Sequence, residues 1–261
     1  MENKFVTLLL CREPNLWVKA LHKYLNDNNI KNIVISDQNF KPSPNLNAVY
    51  YEDQLVIDAN MHRFDFQHRL RKCPTAWDKA IYHIYTSKLF SYDYYYFIED
   101  DIFCKDLSMF KKFITNMDKF GHDLVTSKIY PKTRADIYDF WVRYKKDIIH
   151  PNGEHIYFSF NPLCRLSRAF IKELFAFYDR NNFFYFHEVM LPTVAINNGY
   201  KTLDFLKEPS LNTLLGTWLG PGKSNRKMKD LYKLSHPYKI NEINQSFRRS
   251  SSSHSTKKRS Q

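Results

Sequence analysis

Ser91-Tyr92-Asp93-Tyr94-Tyr95-Tyr96-Phe97-Ile98-Glu99-Asp100-Asp101-Ile102-Phe103-Cys104 is the stretch from which the fold can be read. Tyr94 to Ile98 is an aromatic and β-branched run suited to a buried strand, and it ends in three carboxylates, Glu99, Asp100 and Asp101. Adjacent negative charges repel one another and resist leaving water. A strand therefore ends on them where positive charge is held or where water reaches them. A divalent cation with phosphate ligands meets the first condition, and a solvated acidic turn meets the second.

The sequence on either side places this strand in an α/β sheet. Phe5 to Cys11 is a continuous apolar run, as a parallel strand covered on both faces requires. Pro14 suits a first helical position, and Trp17, Ala20, Leu21, Tyr24 and Leu25 then recur at helical spacing to Asn26. Ile33 to Ile35 reads as a second strand ending at Ser36 and Asp37. Strand, helix and strand make a βαβ unit, whose handedness puts the carboxyl ends of its strands on one rim, where open α/β sheets bind ligands. Arg12 and Asp37 fall on that rim. Asp37 suits a ribose or base contact and equally a turn.

A short strand is expected within Ala48 to Val56, and Arg63, Arg69, Arg71 and Lys72 form a basic cluster. Pro74 opens a helix with Ala76, Trp77, Ala80, Ile81 and Ile84 on its apolar face. After the carboxylates, Asp106 is placed to cap a helix over Leu107 to Met117, and Gly121 to end it. Asp123 to Ser127 reads as a strand, 128 to 155 as a polar and aromatic excursion, and Ile156 to Phe160 as strand. Arg165 to Tyr178 reads as helix. Phe183 to Phe186 leads into His187 and Glu188, followed by a helix that stops near Gly199, and Lys201 to Leu206 is the last strand. Beyond Pro209 regular structure is expected to fade.

At 261 residues and 43% hydrophobic, the chain can bury a full core. Its formal charge of +12 lies mostly behind Lys223, where eleven Lys or Arg meet only Asp230 and Glu242. The body is near neutral, and a disordered Ser, Lys and Arg tail is expected over 246 to 261. Such a tail suits loose contact with nucleic acid or an anionic membrane and does not make the folded domain a specific nucleic-acid reader. Cys11, Cys73, Cys104 and Cys164 form no CxxC pair, so a zinc site and a dense disulfide framework are not indicated. The apolar stretches are too short for a signal-peptide core or a membrane span, which gives a cytoplasmic expectation. Asn244-Gln245-Ser246 would then carry no glycan.

Several motifs are excluded. Six glycines give no GxGxxG fingerprint, and Gly216 and Gly222 enclose five residues where a phosphate-binding P-loop needs four. His187-Glu188 lacks the second histidine of a zinc-protease helix.

Thr75-Ala76-Trp77-Asp78-Lys79-Ala80, the strand ending in Glu99-Asp100-Asp101, Phe186-His187-Glu188 and His236-Pro237-Tyr238-Lys239 together resemble glycosyltransferases of the GT-A fold, over roughly residues 5 to 240. The departure is Glu99, where the family's DxD-type motif most often has Asp. The resemblance implies a single α/β domain over 1 to 245, with a mixed, mainly parallel sheet flanked by helices. Its nucleotide-binding half would span about 1 to 104, its acceptor-side half about 105 to 210, and a closing segment 211 to 245. It implies a nucleotide-sugar donor, a UDP-sugar, with Mn2+ or Mg2+, and a hydroxyl acceptor. It makes Glu99, Asp101 and His236 the metal ligands. Arg12, Asp37, Trp77, Asp78, Lys79, Asp100 and Lys239 become donor contacts, with Lys239 on the diphosphate.

Glu188 is the candidate general base, its aromatic neighbours Phe184, Tyr185 and Phe186 suited to raising its pKa toward neutrality; a base there implies inversion. A first-turn Glu meeting the helix dipole is the plain alternative. Two other classes compete. A metal-dependent nuclease or nucleotidyltransferase usually draws carboxylates from several strands around two ions, unlike a single triplet. A binding module acting through the basic tail would lose function on deletion of 246 to 261.

Overall fold

The computed structural model describes residues 4–40, 45–61, 74–131, 155–184, 186–218 and 232–236. Strands β1 (Phe5–Cys11), β2 (Asn32–Ser36), β3 (Ala48–Tyr50), β4 (Tyr94–Glu99), β5 (Leu124–Pro131), β6 (Tyr157–Ser167) and β7 (Thr202–Asp204) form one sheet. Their order is β3-β2-β1-β4-β6-β5-β7. The pairs β3/β2, β2/β1, β1/β4 and β5/β7 are parallel, while β6 runs antiparallel to both β4 and β5. The fold is thus a mixed α/β sheet, mostly parallel, with helices on both faces.

Alternation along the central strands explains the two cores. Val6, Leu8 and Leu10 of β1, with Tyr95 and Phe97 of β4, face helices α3 (Ala76–Thr86), α5 (Arg168–Asn181) and α6 (His187–Asn197). Leu9 and Cys11, with Tyr96 and Ile98, face α1 (Leu16–Asp27) and α4 (Ser108–Met117). A slip of one residue in either strand would exchange the two faces, so the register is strongly specified. A short α2 (Asp53–Asp58) covers one edge, and α7 (Pro209–Asn212) packs against α4. Among the described residues no helix is long and apolar enough to cross a membrane.

The β1-α1-β2 unit and the β4 strand stand as the sequence predicts, with local differences. Asn15, not Pro14, starts α1: its side chain accepts from the Val18 N–H at 3.0 Å. Thr75 likewise caps α3, leaving Pro74 outside. The short strand expected within Ala48 to Val56 is β3, Ala48–Tyr50, and Val56 belongs to α2. Asp106 accepts from the Ser108 N–H at 2.9 Å, but α4 ends at Met117 and Asp118 follows as its cap, before Gly121 is reached. Gly199 does follow α6 in the left-handed region, φ 73°, as a helix stop requires.

The largest difference is at Arg165. The helical spacing of Leu166, Phe170, Leu174 and Phe177 predicts a helix from Arg165, yet β6 continues to Ser167 and α5 begins only at Arg168. Ser167 caps that helix by accepting from the Phe170 N–H at 3.1 Å. Pro162 is tolerated inside β6 because the β5 pairing is irregular there, passing from Val125 opposite Arg165 to Ser127 opposite Phe160. Arg165 itself is fully buried. Its guanidinium donates to Met117 O, to Phe120 O (2.6 Å) and to His122 O (2.8 Å), and it lies 4.2 Å over the Tyr94 ring.

Regular structure also persists beyond Pro209. Besides α7, strands β8 (Leu215–Trp218) and β9 (Leu234–His236) pair in parallel. The predicted basic cluster at 63 to 72, most of the excursion at 128 to 155, Lys239 and the 246 to 261 tail lie outside the described residues. Cys11 and Cys164 are buried thiols, and Cys104 is buried as well.

Candidate metal and nucleotide site

The site begins where the parallel strands stop. Leu10 of β1 pairs with Glu99 of β4, so the two strands end side by side and deliver Arg12 and Asp100 to the same rim. Asp100 accepts from the Arg12 backbone N–H and from Asn15 Nδ2 at 3.5 Å. One strand further on, the Asp37 N–H donates to Cys11 O at 2.8 Å. These ends enclose a cleft of about 210 Å³ lined by Arg12, Asp37, Trp77, Glu99, Asp100 and Asp101.

His236 reaches the same place from far along the chain, through a two-bond backbone link. Phe103 N donates to Ser235 O and Ser235 N to Phe103 O, both at 3.0 Å. This pairing, two residues after the triplet, sets the next residue of β9 beside it. His236 Nε2 lies 3.1 Å from Asp101 Oδ2. The imidazole is 4% exposed, packed edge-on against Phe160 at 5.0 Å and against Trp218 at 5.7 Å.

Glu99, Asp101 and His236 each offer a ligand atom, and these atoms lie within 4.8 Å of one another. Asp101 Oδ1 is shielded from solvent and has no hydrogen-bond partner among the described residues, an arrangement costly for a carboxylate unless a cation meets it. Two carboxylates suit a hard divalent ion. The added imidazole favours Mn2+ over Mg2+ within that class.

Trp77 ties this point to the rest of the fold. It comes from α3, whose start is clamped by Asp78: the Asp78 carboxylate accepts from Thr75 N (2.7 Å) and Thr75 Oγ1 (2.9 Å). The indole stacks on Phe97 at 4.6 Å and 2°, and on His187 at 4.3 Å and 12°. Its Nε1–H donates to Glu99 Oε1 at 2.8 Å. Through His187 the same stack holds the first turn of α6. Asn161 Nδ2 secures that turn by donating to His187 O at 3.3 Å. Glu188 follows at 8% exposure, and its charge acts on Glu99 and on Tyr130.

The electrostatics are those of a site built for positive charge. Burial above all, then the Asp101 charge, push the Glu99 pKa well above the usual carboxylate range; the Trp77 bond opposes them, and Glu188 and Asp100 add to the rise. Burial and Asp101 lift Asp100 to about 7, against backbone hydrogen bonds that lower it. Asp37 is lifted to about 6, by burial first, with Lys79 pulling the other way. Burial, together with Asp100 and Asp37, also drives the Cys11 thiol up and keeps it protonated.

The predicted residues thus divide. Glu99, Asp100, Asp101, Arg12, Asp37 and Trp77 line one cleft, and His236 and Glu188 adjoin it. Asp78 is occupied at the helix start. Lys79 is fully buried: its ammonium pairs with Asp53 Oδ1 at 2.7 Å, donates to Asp37 O and lies 4.4 Å over the Tyr50 ring, so it braces the rim from beneath. Sequence reading misses His187 as the second face of the Trp77 stack. Its place before Glu188 is the sole signal, because stacking partners on different helices share no spacing.

No protein-family model matches the chain, and no curated protein matches it. Among solved structures, it is loosely similar to two complexes of glucosyl-3-phosphoglycerate synthase from Mycobacterium tuberculosis. One holds Mn2+, uridine diphosphate and glucosyl-3-phosphoglycerate, with 13% identity over 68% of this chain and a TM-score of 0.37. The other holds Mn2+, UDP-glucose and phosphoglyceric acid, with 13% identity over 72% of this chain and a TM-score of 0.36. The chain covers 66% and 67% of the length of those chains.

Proposed function

We propose that the protein is a divalent-cation-dependent glycosyltransferase, moving a sugar from a nucleotide donor, a UDP-sugar, to an acceptor hydroxyl. One observation carries the reading. Glu99, Asp101 and His236 converge beside the cleft at the carboxyl rim of the parallel strands, with a buried carboxylate oxygen of Asp101 left unpartnered among the described residues. In an open α/β sheet that rim is where a nucleotide binds.

Glu99, Asp101 and His236 would hold the cation, Mn2+ in preference to Mg2+. When bound, such an ion neutralises the charge that builds on the departing diphosphate. Asp37 is placed to accept from a ribose or base, and Arg12 and Asp100 form the cleft floor. Trp77 fixes the orientation of the Glu99 carboxylate, as an outer-shell donor does. Glu188 takes the proton from the acceptor hydroxyl as its oxygen bonds to the anomeric carbon and the bond from that carbon to the diphosphate breaks. The nucleoside diphosphate leaves with the electron pair, and the anomeric centre inverts. Lys239, in the closing segment 211 to 245 of a 1 to 245 domain, would meet the diphosphate as a point charge.

Thermal shifts with UDP, GDP and CMP, each with Mn2+, test the reading, since a ligand that binds the folded state stabilises it by mass action. UDP is expected to raise the midpoint only with the metal present, and Asp101→Ala to abolish that rise while the unliganded protein still melts cooperatively. Nucleotide binding undiminished by a chelator would refute it.

A further inference from the structure

A left-handed lysine stands on the same rim, two strands beyond the acidic triplet. Ser127 of β5 pairs with Phe160, and Tyr130 pairs with Phe158, so β5 carries one extra residue between these rungs. Lys128 lies in that bulge with φ 55°. Left-handed backbone suits Gly or Asn and is unfavourable for a long side chain, and such outliers gather where a bulge re-aims a residue at a functional site. A solvated lysine needs no such backbone.

The bulge is secured from both sides. The Lys128 N–H donates to Asp204 Oδ1 of β7 at 3.1 Å, while Ser127 Oγ donates to Phe160 O at 2.6 Å and accepts from Trp218 Nε1 at 3.2 Å. It brings the half-buried Lys128 ammonium to 5.5 Å from the Phe160 ring centre. The same ring packs against His236 at 5.0 Å. The amine and a proposed metal ligand therefore neighbour the same apolar ring. Its low polarity strengthens whatever charge pairing the amine makes. Tyr130, two residues on, feels the Glu188 charge, so this end of β5 borders the proposed base as well.

Asp37, Glu99, Asp100, Asp101 and Glu188 would repel an anionic ligand, and Arg12 is the cation that lines the cleft with them, while Lys79 pairs with Asp53 beneath the rim. A second cation on the rim would offset that excess of negative charge. We infer that Lys128 is an anion-binding residue of this site, holding a phosphate or carboxylate oxygen at the rim. The inference rests on the glycosyltransferase reading only for the source of that anion, the donor diphosphate or an acidic acceptor.

Inorganic phosphate is the probe, titrated into the full chain with Mn2+ and followed by thermal shift and 31P NMR. The wild type is expected to bind phosphate, Lys128→Met and Lys128→Gly to raise its Kd at least about tenfold, and Lys128→Arg to stay within about threefold. Lys128→Gly also removes the backbone penalty, so without ligand it should melt at or above the wild-type midpoint, which separates lost binding from lost folding. Phosphate that competes with UDP marks the donor diphosphate as the source, and phosphate that binds alongside UDP marks the acceptor; either supports the inference. Unchanged phosphate affinity in Lys128→Met and Lys128→Gly, or no phosphate binding by the wild type, overturns it. Lys128-dependent phosphate binding without any UDP binding would keep the anion site and remove the transferase reading.

Discussion

Replacing Trp77 with Phe tests how the proposed metal ligands are positioned. The substitution keeps an aromatic ring between Phe97 and His187, which stack on the indole at 4.6 and 4.3 Å. It removes the 2.8 Å bond from Nε1 to Glu99 Oε1. A hydrogen bond to a charged acceptor contributes about 1.5–3 kcal/mol, and about 1.4 kcal/mol is a factor of ten in affinity. With Glu99 no longer held, Mn2+ binding should weaken by roughly ten- to a hundredfold, the range for loss of an outer-shell partner. Calorimetric Mn2+ titration without nucleotide reads this directly. Stability should fall by only about 1–3 kcal/mol, because most of the aromatic packing remains. Trp77→Ala should cost roughly 3–5 kcal/mol and release the start of α6 as well. Glu99→Gln keeps an acceptor for the indole, so it should lose the metal yet unfold nearly as the wild type does. A Trp77→Phe protein that binds Mn2+ within about twofold of the wild type would show that Glu99 does not depend on the indole, and the positioning argument would fail.

Three further outcomes follow from groups around the site. Lys79→Met leaves the Asp37 carbonyl and the partly exposed Asp53 without their cation, and should cost about 1–3 kcal/mol in urea denaturation; stability within about 0.5 kcal/mol of the wild type would show that the buried ammonium does not brace the rim. Arg165→Met strips the carbonyls of Met117, Phe120 and His122 of their donor, and should lower stability by at least about 3 kcal/mol, with near-wild-type stability as the contrary result. Asp37 has its folded pKa raised to about 6 from 3.8, so the folded state holds the proton more tightly and stability drains away as pH rises from about 4 to about 6. Asp37→Asn removes that dependence: its melting midpoint relative to wild type should be more favourable at about pH 7 than at about pH 4.5, and the opposite trend refutes the burial argument.

What is legible in the sequence follows from the range over which each signal acts. The β1-α1-β2 unit can be read because a buried parallel strand is a continuous apolar run and a helix repeats within a few residues. The acidic triplet can be read because its strain is local: three carboxylates in sequence are unusual whatever surrounds them. Spacing misplaces Arg165 because the helical pattern beyond it extends smoothly backward into β6, and only the sheet contacts of Cys164 and Leu166 override it. Helix propensity is a weak prior against such contacts. The Lys128 bulge leaves no trace at all, since a register shift is a relation between two strands and neither sequence carries it.

Those limits explain why the site reads as it does. The first two proposed metal ligands lie on one strand end, whereas the third depends on a backbone pair between Phe103 and Ser235 that no spacing rule connects. Resemblance could nominate His236, but only the pairing gives a physical reason for its position: β9 is tethered to the residue that follows the triplet by two, so the imidazole is set 3.1 Å from Asp101 Oδ2. The same logic sets Glu188 beside Glu99 through a stack of three rings drawn from β4, α3 and α6. In both cases an apolar or backbone contact of ordinary kind carries a charged group to a place it would otherwise avoid. Burial first, and then the mutual repulsion that results, raise the pKa values of Glu99 and Asp100, and a cation at this point would favour their charged forms.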